Sequence, residues 1–168
     1  IISSGMSYLS EIEIALKSIY PINKEIILLH CTSNYPTSVD EVNLNIINTF
    51  KENFDIIVGF SDHTPNIGAS PYTVPMGVKV IEKHFTIDKD LPGPDHKASL
   101  SPIELNEFIK EIRKVERYLG NDIKVPTLSE IQTRNSLQKN LVASRSIKKG
   151  ERFSFDNIEE KRTGGRGI

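Results

Sequence analysis

His63 and His84 are the residues of this chain best placed to hold a cation. Each sits where an apolar run gives way to polar residues: Ile56-Ile57-Val58-Gly59-Phe60 leads into Ser61-Asp62-His63-Thr64, and Val78-Lys79-Val80-Ile81-Glu82-Lys83 into His84-Phe85-Thr86. A lone strand-end histidine is more often a hydrogen-bonded structural residue. Two of them at equivalent places on consecutive strands can converge on one point. Neutral imidazoles suit Mn²⁺, Zn²⁺ or Fe²⁺ and leave positions open for water and substrate oxygens. Asp62 beside His63 fits two roles equally, orienting an imidazole from behind or capping a turn. Asp95 and His96 belong to Leu91-Pro92-Gly93-Pro94-Asp95-His96-Lys97, a rigid loop that could carry groups over a site but is also ordinary turn chemistry. Ser3, Ser33 and Ser61 follow three successive apolar runs, where hydroxyls and backbone N–H groups can receive a phosphate. Cys31 ends an apolar run and reads as a small buried hydrophobe. Lys148, Lys149, Lys161, Arg162 and Arg166 read as solvated charges, the last three in a glycine-rich segment able to reach an anion.

These groups need elements to position them. Ile12, Leu16 and Ile19 make one apolar stripe over residues 10–20, predicting an amphipathic helix. Ile26-Ile27-Leu28-Leu29 is a short run apolar on both sides, as expected of a parallel strand covered on two faces. Ser38-Val39-Asp40-Glu41 has the form of a capping box, predicting a helix that carries Val42, Ile46, Ile47 and Phe50 on one side. The segment 65–77, rich in proline and glycine, reads as a loop with at most a short helix. Ser101-Pro102-Ile103-Glu104 predicts a helix running to Leu119 and ended by Gly120. Strands and helices therefore alternate to residue 119, and the fold class is α/β. Four such units fit half of a doubly wound sheet or half of a barrel. The recurrence of polar residues after every strand favours the rim of a (β/α)8 TIM barrel, whose chemistry gathers at the C-terminal ends of its strands.

After Gly120 the texture changes. Residues 121–136 read as a polar linker, and residues 137–168 as an incomplete, small β-rich domain with short strands at Leu141-Val142-Ala143, Ile147-Lys148-Lys149-Gly150-Glu151 and Asn157-Ile158. The 21 basic residues nearly cancel the 22 acidic ones, so nucleic acid and anionic membranes are not expected partners; a small molecule is. A single cysteine among 168 residues permits no internal disulfide, no apolar stretch has the length of a membrane span, and the expected compartment is the cytoplasm. Both ends of the chain read as cuts within a larger fold.

Five motifs in order, Ile2-Ser3-Ser4-Gly5-Met6, His30-Cys31-Thr32-Ser33-Asn34-Tyr35-Pro36-Thr37, Gly59-Phe60-Ser61-Asp62-His63-Thr64, Glu82-Lys83-His84-Phe85-Thr86 and Gly93-Pro94-Asp95-His96-Lys97-Ala98-Ser99-Leu100, closely resemble the N-acetylneuraminate (sialic acid) synthase family. The resemblance implies the C-terminal half of a TIM barrel, with Ile147 to Glu151 resembling the start of the family's antifreeze-like (SAF) domain. It implies condensation of phosphoenolpyruvate with N-acetylmannosamine, or a related 2-acetamido sugar, and water to give a nonulosonic acid and phosphate.

On that resemblance His63 and His84 bind Mn²⁺ or Mg²⁺ and are, with Asp95, the catalytic set. Ser3, Ser33 and Ser61 match positions that hold phosphate, and Tyr35 and Asp95 match positions that orient substrates. Arg162 matches an arginine offered to the neighbouring subunit's sugar, implying a domain-swapped homodimer; the family usually has proline after it, where this chain has Thr163. The ending His96-Lys97-Ala98-Ser99-Leu100 is more like sialic or legionaminic than pseudaminic acid synthases. The family's first four βα units have no counterpart here, so the chain alone is expected to be inactive. The alternatives are another metal-dependent aldol-type barrel and a truncated remnant without catalysis.

Overall fold

The computed structural model describes residues 1–168, which form two compact units, Ile1–Gly120 and Asn121–Ile168. The first holds a four-stranded sheet in the order β1 (Ile2–Ser3), β2 (Ile27–Cys31), β3 (Ile57–Asp62) and β4 (Ile81–Lys83), every neighbouring pair parallel. Helices α1 (Leu9–Ile19), α2 (Ile46–Asn53), α3 (Ser70–Thr73) and α4 (Pro102–Leu119) follow the strands in turn. The α/β class with a parallel sheet is as the alternation of runs requires.

Leu28, Val58 and Phe60 pack against Ile12 and Leu16 of α1 and Ile47 and Phe50 of α2, and this is the core. Because strand side chains alternate, Leu29, Cys31, Gly59 and Ser61 lie on the opposite face. Gly59 is required there: a Cβ at this position would collide with the Leu29 side chain and the Val80 carbonyl, so β2, β3 and the segment before β4 approach too closely for any side chain. β4 is shorter than the run Val78 to Phe85 foretold. Its extension is instead a single bridge between Phe85 and Leu100, where the Leu100 N–H donates to the His84 carbonyl and the Thr86 N–H to the Leu100 carbonyl.

The helix expected from Ser38 does not start there. Glu41 receives the Ser38 hydroxyl and the Asn34 amide instead of closing a capping box, residues Val39–Glu41 make one 3-10 turn, and Asn43 takes a left-handed conformation (φ 47°) that ends it. α2 begins at Ile46. The Ser101 cap of α4 does close: its hydroxyl accepts from the Glu104 N–H, and the Glu104 carboxylate accepts from the Ser101 N–H at 2.7 Å.

Lys89 completes this cap, donating to Glu104 at 2.7 Å, and that hydrogen bond is the main reason the Glu104 carboxyl is held down at about 2 against its usual 4.5. A depressed carboxylate stabilises the fold above the unfolded value and loses that contribution as the pH falls through the folded one. The melting-temperature difference between the wild type and Glu104→Gln should therefore be constant above about pH 5 and shrink steadily between 4.5 and about 2. A difference independent of pH would contradict the cap.

In the second unit, residues 128–137 are not an irregular linker but a helix, α5 (Leu128–Leu137), opened by a capping box between Thr127 and Glu130. The Thr-x-x-Glu spacing was the signal for it. β5 (Lys139–Ala143) and β6 (Ile158–Arg162) pair antiparallel, and Ile168 exchanges both backbone hydrogen bonds with Leu141. Ile147 to Glu151 is a turn and not a strand, because the Glu151 carboxylate takes the Arg145 guanidinium and the Lys148 N–H. No helix is long and apolar enough to cross a membrane.

Candidate active site

The site lies at the C-terminal ends of β2, β3 and β4, on the face turned away from the helices. His63 follows the last residue of β3 and His84 the last of β4, and their rings meet edge to face with centroids 5.6 Å apart. Both Nε2 atoms lie close to one atom, the Tyr35 hydroxyl oxygen, at 2.6 Å from His63 and 2.9 Å from His84. Tyr35 arrives from the loop after β2 and stacks on the His63 ring at 3.9 Å between centroids. The Thr37 N–H donates to the His63 carbonyl at 2.9 Å and ties that loop to the end of β3.

His63 is oriented from behind, but not by Asp62. Its Nδ1 lies 2.7 Å from the Thr32 carbonyl, an acceptor only, so Nδ1 carries the proton and Nε2 presents a lone pair. Burial lowers the His63 pKa, with the Thr32 contact opposing it and the neighbouring His84 adding to the depression. The ring is thus neutral and ready to ligate near pH 7. Two imidazoles aimed at one point fit a borderline divalent cation. No cluster of three or more His, Cys, Asp or Glu side chains is assembled around them, so this donor set leaves most coordination positions to oxygens from elsewhere.

Asp62 faces the other way. It is fully buried on the helix side of the sheet, accepts from the N–H and hydroxyl groups of both Thr64 and Ser70, and pairs with Lys83 at 3.3 Å. Of its two candidate roles the capping one is realised, since these bonds fix the turn after β3 and the start of α3. Lys83 also donates to the Thr64 carbonyl at 2.6 Å and lies over the Phe108 ring of α4. Burial lowers its pKa while Asp62 works against that.

Ser61 is buried on the site face, 3.3 Å from His63 Nε2, and its hydroxyl donates to Glu82 at 2.7 Å. Ser3 shares that face by its register with Leu29, and Ser33 lies beside Gly5. Both are exposed, and no hydrogen bond joins the three serines to one another. The Asp95 carboxylate is exposed in the loop before α4, near enough to the Tyr35 phenol to add, after burial and Cys31, to the upward push on its pKa. Thr86 pins this loop, accepting from His96 Nδ1 at 2.7 Å and donating to the Asp88 carbonyl. Arg162 ends β6 in the second unit, exposed and opposite Lys139.

One neighbour was not singled out from sequence. Glu82 shares the site face because it lies two residues before His84 on one strand, a signal that period-two counting supplies. Cys31, read as a buried hydrophobe, is buried, and its Sγ lies 3.9 Å from His63 Nδ1. His30, by contrast, turns into the core, where it packs on Phe50 and Phe60 and contacts the Val42 carbonyl at 2.7 Å.

Comparison with known proteins gives this arrangement a family. The chain is 46% identical to the N,N'-diacetyllegionaminic acid synthase of Campylobacter jejuni, over 96% of its own length and 49% of that protein's. It is 37% identical to the N-acetylneuraminate-9-phosphate synthase of Homo sapiens, over 96% of the chain and 45% of the relative. Among solved structures, the N-acetylneuraminic acid synthetase of Leptospira borgpetersenii superposes with a TM-score of 0.69 at 37% identity, covering 81% of this chain and 49% of that one. The chain spans about half the length of the relatives it matches. The NeuB family profile matches residues 1–124, the whole of the first unit and the site with it, and the chain belongs to the NeuB family.

Proposed function

We propose that these residues are the metal-bearing half of a nonulosonic acid synthase: residues 1–120 the second half of a TIM barrel, and residues 137–168 the start of an antifreeze-like domain. The reaction is condensation of phosphoenolpyruvate with N-acetylmannosamine or a related 2-acetamido sugar and water, releasing phosphate. The observation that carries this reading is the convergence of the His63 and His84 Nε2 atoms on one point at the strand ends of a NeuB chain.

His63 and His84 would hold Mn²⁺ or Mg²⁺, which when bound supplies Lewis acidity toward the open-chain sugar aldehyde. Thr32 keeps the His63 lone pair aimed at the site. Ser61, with Ser3 and Ser33, offers hydroxyls to the phosphate of phosphoenolpyruvate, and Glu82 fixes the Ser61 rotamer. Tyr35 and Asp95 orient the substrates, and their loops bound the mouth. Carbon 3 of phosphoenolpyruvate forms the new bond to the aldehyde carbon; water adds at carbon 2, and phosphate leaves with cleavage of its C–O bond. Arg162 contributes to the sugar site of a second copy in a swapped homodimer, in the cytoplasm.

The test is product analysis with the intact protein, phosphoenolpyruvate, N-acetylmannosamine and Mn²⁺. Equimolar free phosphate and a nine-carbon 2-keto acid are expected. A condensation product that retains phosphate, or turnover of a different keto acid, would assign the site to another aldol-type enzyme. The 168-residue chain by itself is expected to give no product.

A further inference from the structure

Tyr35 is placed as more than a group that touches substrate. A cation held by both imidazoles would need both Nε2 atoms free of any other partner. The Tyr35 oxygen is within hydrogen-bond distance of both nitrogens at once, at 2.6 and 2.9 Å. The proton count is closed: His63 Nε2 is an acceptor, since Nδ1 donates to Thr32, so the phenol O–H donates to His63, and the phenol oxygen accepts from the His84 Nε2–H. The phenol therefore satisfies both nitrogens and holds the His84 proton on the nitrogen that a cation needs.

We infer that Tyr35 is a placeholder for the divalent cation: its hydroxyl bridges His63 and His84 until the ion arrives, is expelled by it, and is thereby released toward the substrate. This rests on the reading of the two histidines as the metal pair. The exchange has a defined balance. Two hydrogen bonds of the phenol break, two metal–nitrogen bonds form, and the His84 proton moves to Nδ1, for which no hydrogen-bond partner competes. The loop can make the movement, because the Tyr35 side of it is exposed while its far end is fastened by the Thr37 N–H on the His63 carbonyl. Ion binding would thus come before productive sugar binding, since the same hydroxyl cannot bridge the imidazoles and contact a sugar.

The experiment is a titration of the intact protein with Mn²⁺ alone, read by the electron paramagnetic resonance of free Mn²⁺, for the wild type and Tyr35→Phe. Removing the hydroxyl frees both nitrogens, and the Mn²⁺ affinity of Tyr35→Phe should rise about tenfold, the worth of releasing two hydrogen bonds of modest net strength. The KM for the sugar should move the other way and worsen. A ¹⁹F label on the Tyr35 ring should shift on titration with diamagnetic Mg²⁺. Weaker Mn²⁺ binding by Tyr35→Phe would make the phenol a ligand and overturn the inference, as would equal affinity with an unmoved ¹⁹F signal. Failure of both proteins to bind Mn²⁺, with His84→Ala no different, would instead remove the metal pair itself.

Discussion

Replacing His84 by alanine in the intact protein is expected to lower metal-dependent turnover by at least about a thousandfold while leaving the melting temperature nearly unchanged. Lewis-acid stabilisation of a developing oxyanion is worth several kcal/mol, and each 1.36 kcal/mol is a factor of ten in rate. On the proposed reading of the two histidines as the metal pair, the nitrogen that is left could not hold the ion in place. The fold should tolerate the change because the His84 ring is only partly buried and its side chain bonds only to Tyr35, while its backbone carbonyl still accepts from Leu100. His63→Ala should be as inactive but less clean, since that ring also stacks on Tyr35 and holds the Thr32 carbonyl. Steady-state rates at saturating Mn²⁺, beside a thermal melt of each variant, make the comparison. Undiminished turnover by His84→Ala would mean that it is not a ligand.

The largest effect on stability should come from Asp62→Ala. The Asp62 side chain is 0% exposed and that of Lys83 4%, so the change strands a buried ammonium and four donors from Thr64 and Ser70. Breaking a buried pair by removing one partner costs about 3 to 5 kcal/mol, a large share of the 5 to 15 kcal/mol typical of a domain. Chemical denaturation of the intact protein should show this loss. The double variant Asp62→Asn, Lys83→Met should recover part of it, because the amide still accepts from the turn and no charge remains to be matched. If Asp62→Ala unfolded like the wild type, the pair would have to be solvated, against its burial. Turnover should fall as well, since His63 follows Asp62 directly and depends on this turn for its position.

How much of this was legible beforehand depends on the range of the interaction. The strand at Ile26 to Leu29, the helix opened by Ser101 and Glu104, and the positions of His63 and His84 at strand ends follow from a few consecutive residues, and local patterns report local structure well. The same local rule fails at Ser38, where Glu41 has a competing partner in Asn34, and residues 128–137 show its reverse, a helix opened by the Thr127 capping box in polar surroundings without an apolar stripe. Glu82 is marked in the sequence only by the alternation counted back from His84.

The sequence by itself determined the α/β alternation, the strand-end placement of the two histidines and, through five ordered motifs, the family. Tertiary structure alone decided that Asp62 turns to Lys83 and the helices rather than to an imidazole, and that Tyr35 reaches across from another strand's loop to both Nε2 atoms. The physical reason is the same in each case. A one-residue step along a strand reverses the face, and a contact between loops is set by the register of parallel strands, which no window of neighbouring residues contains.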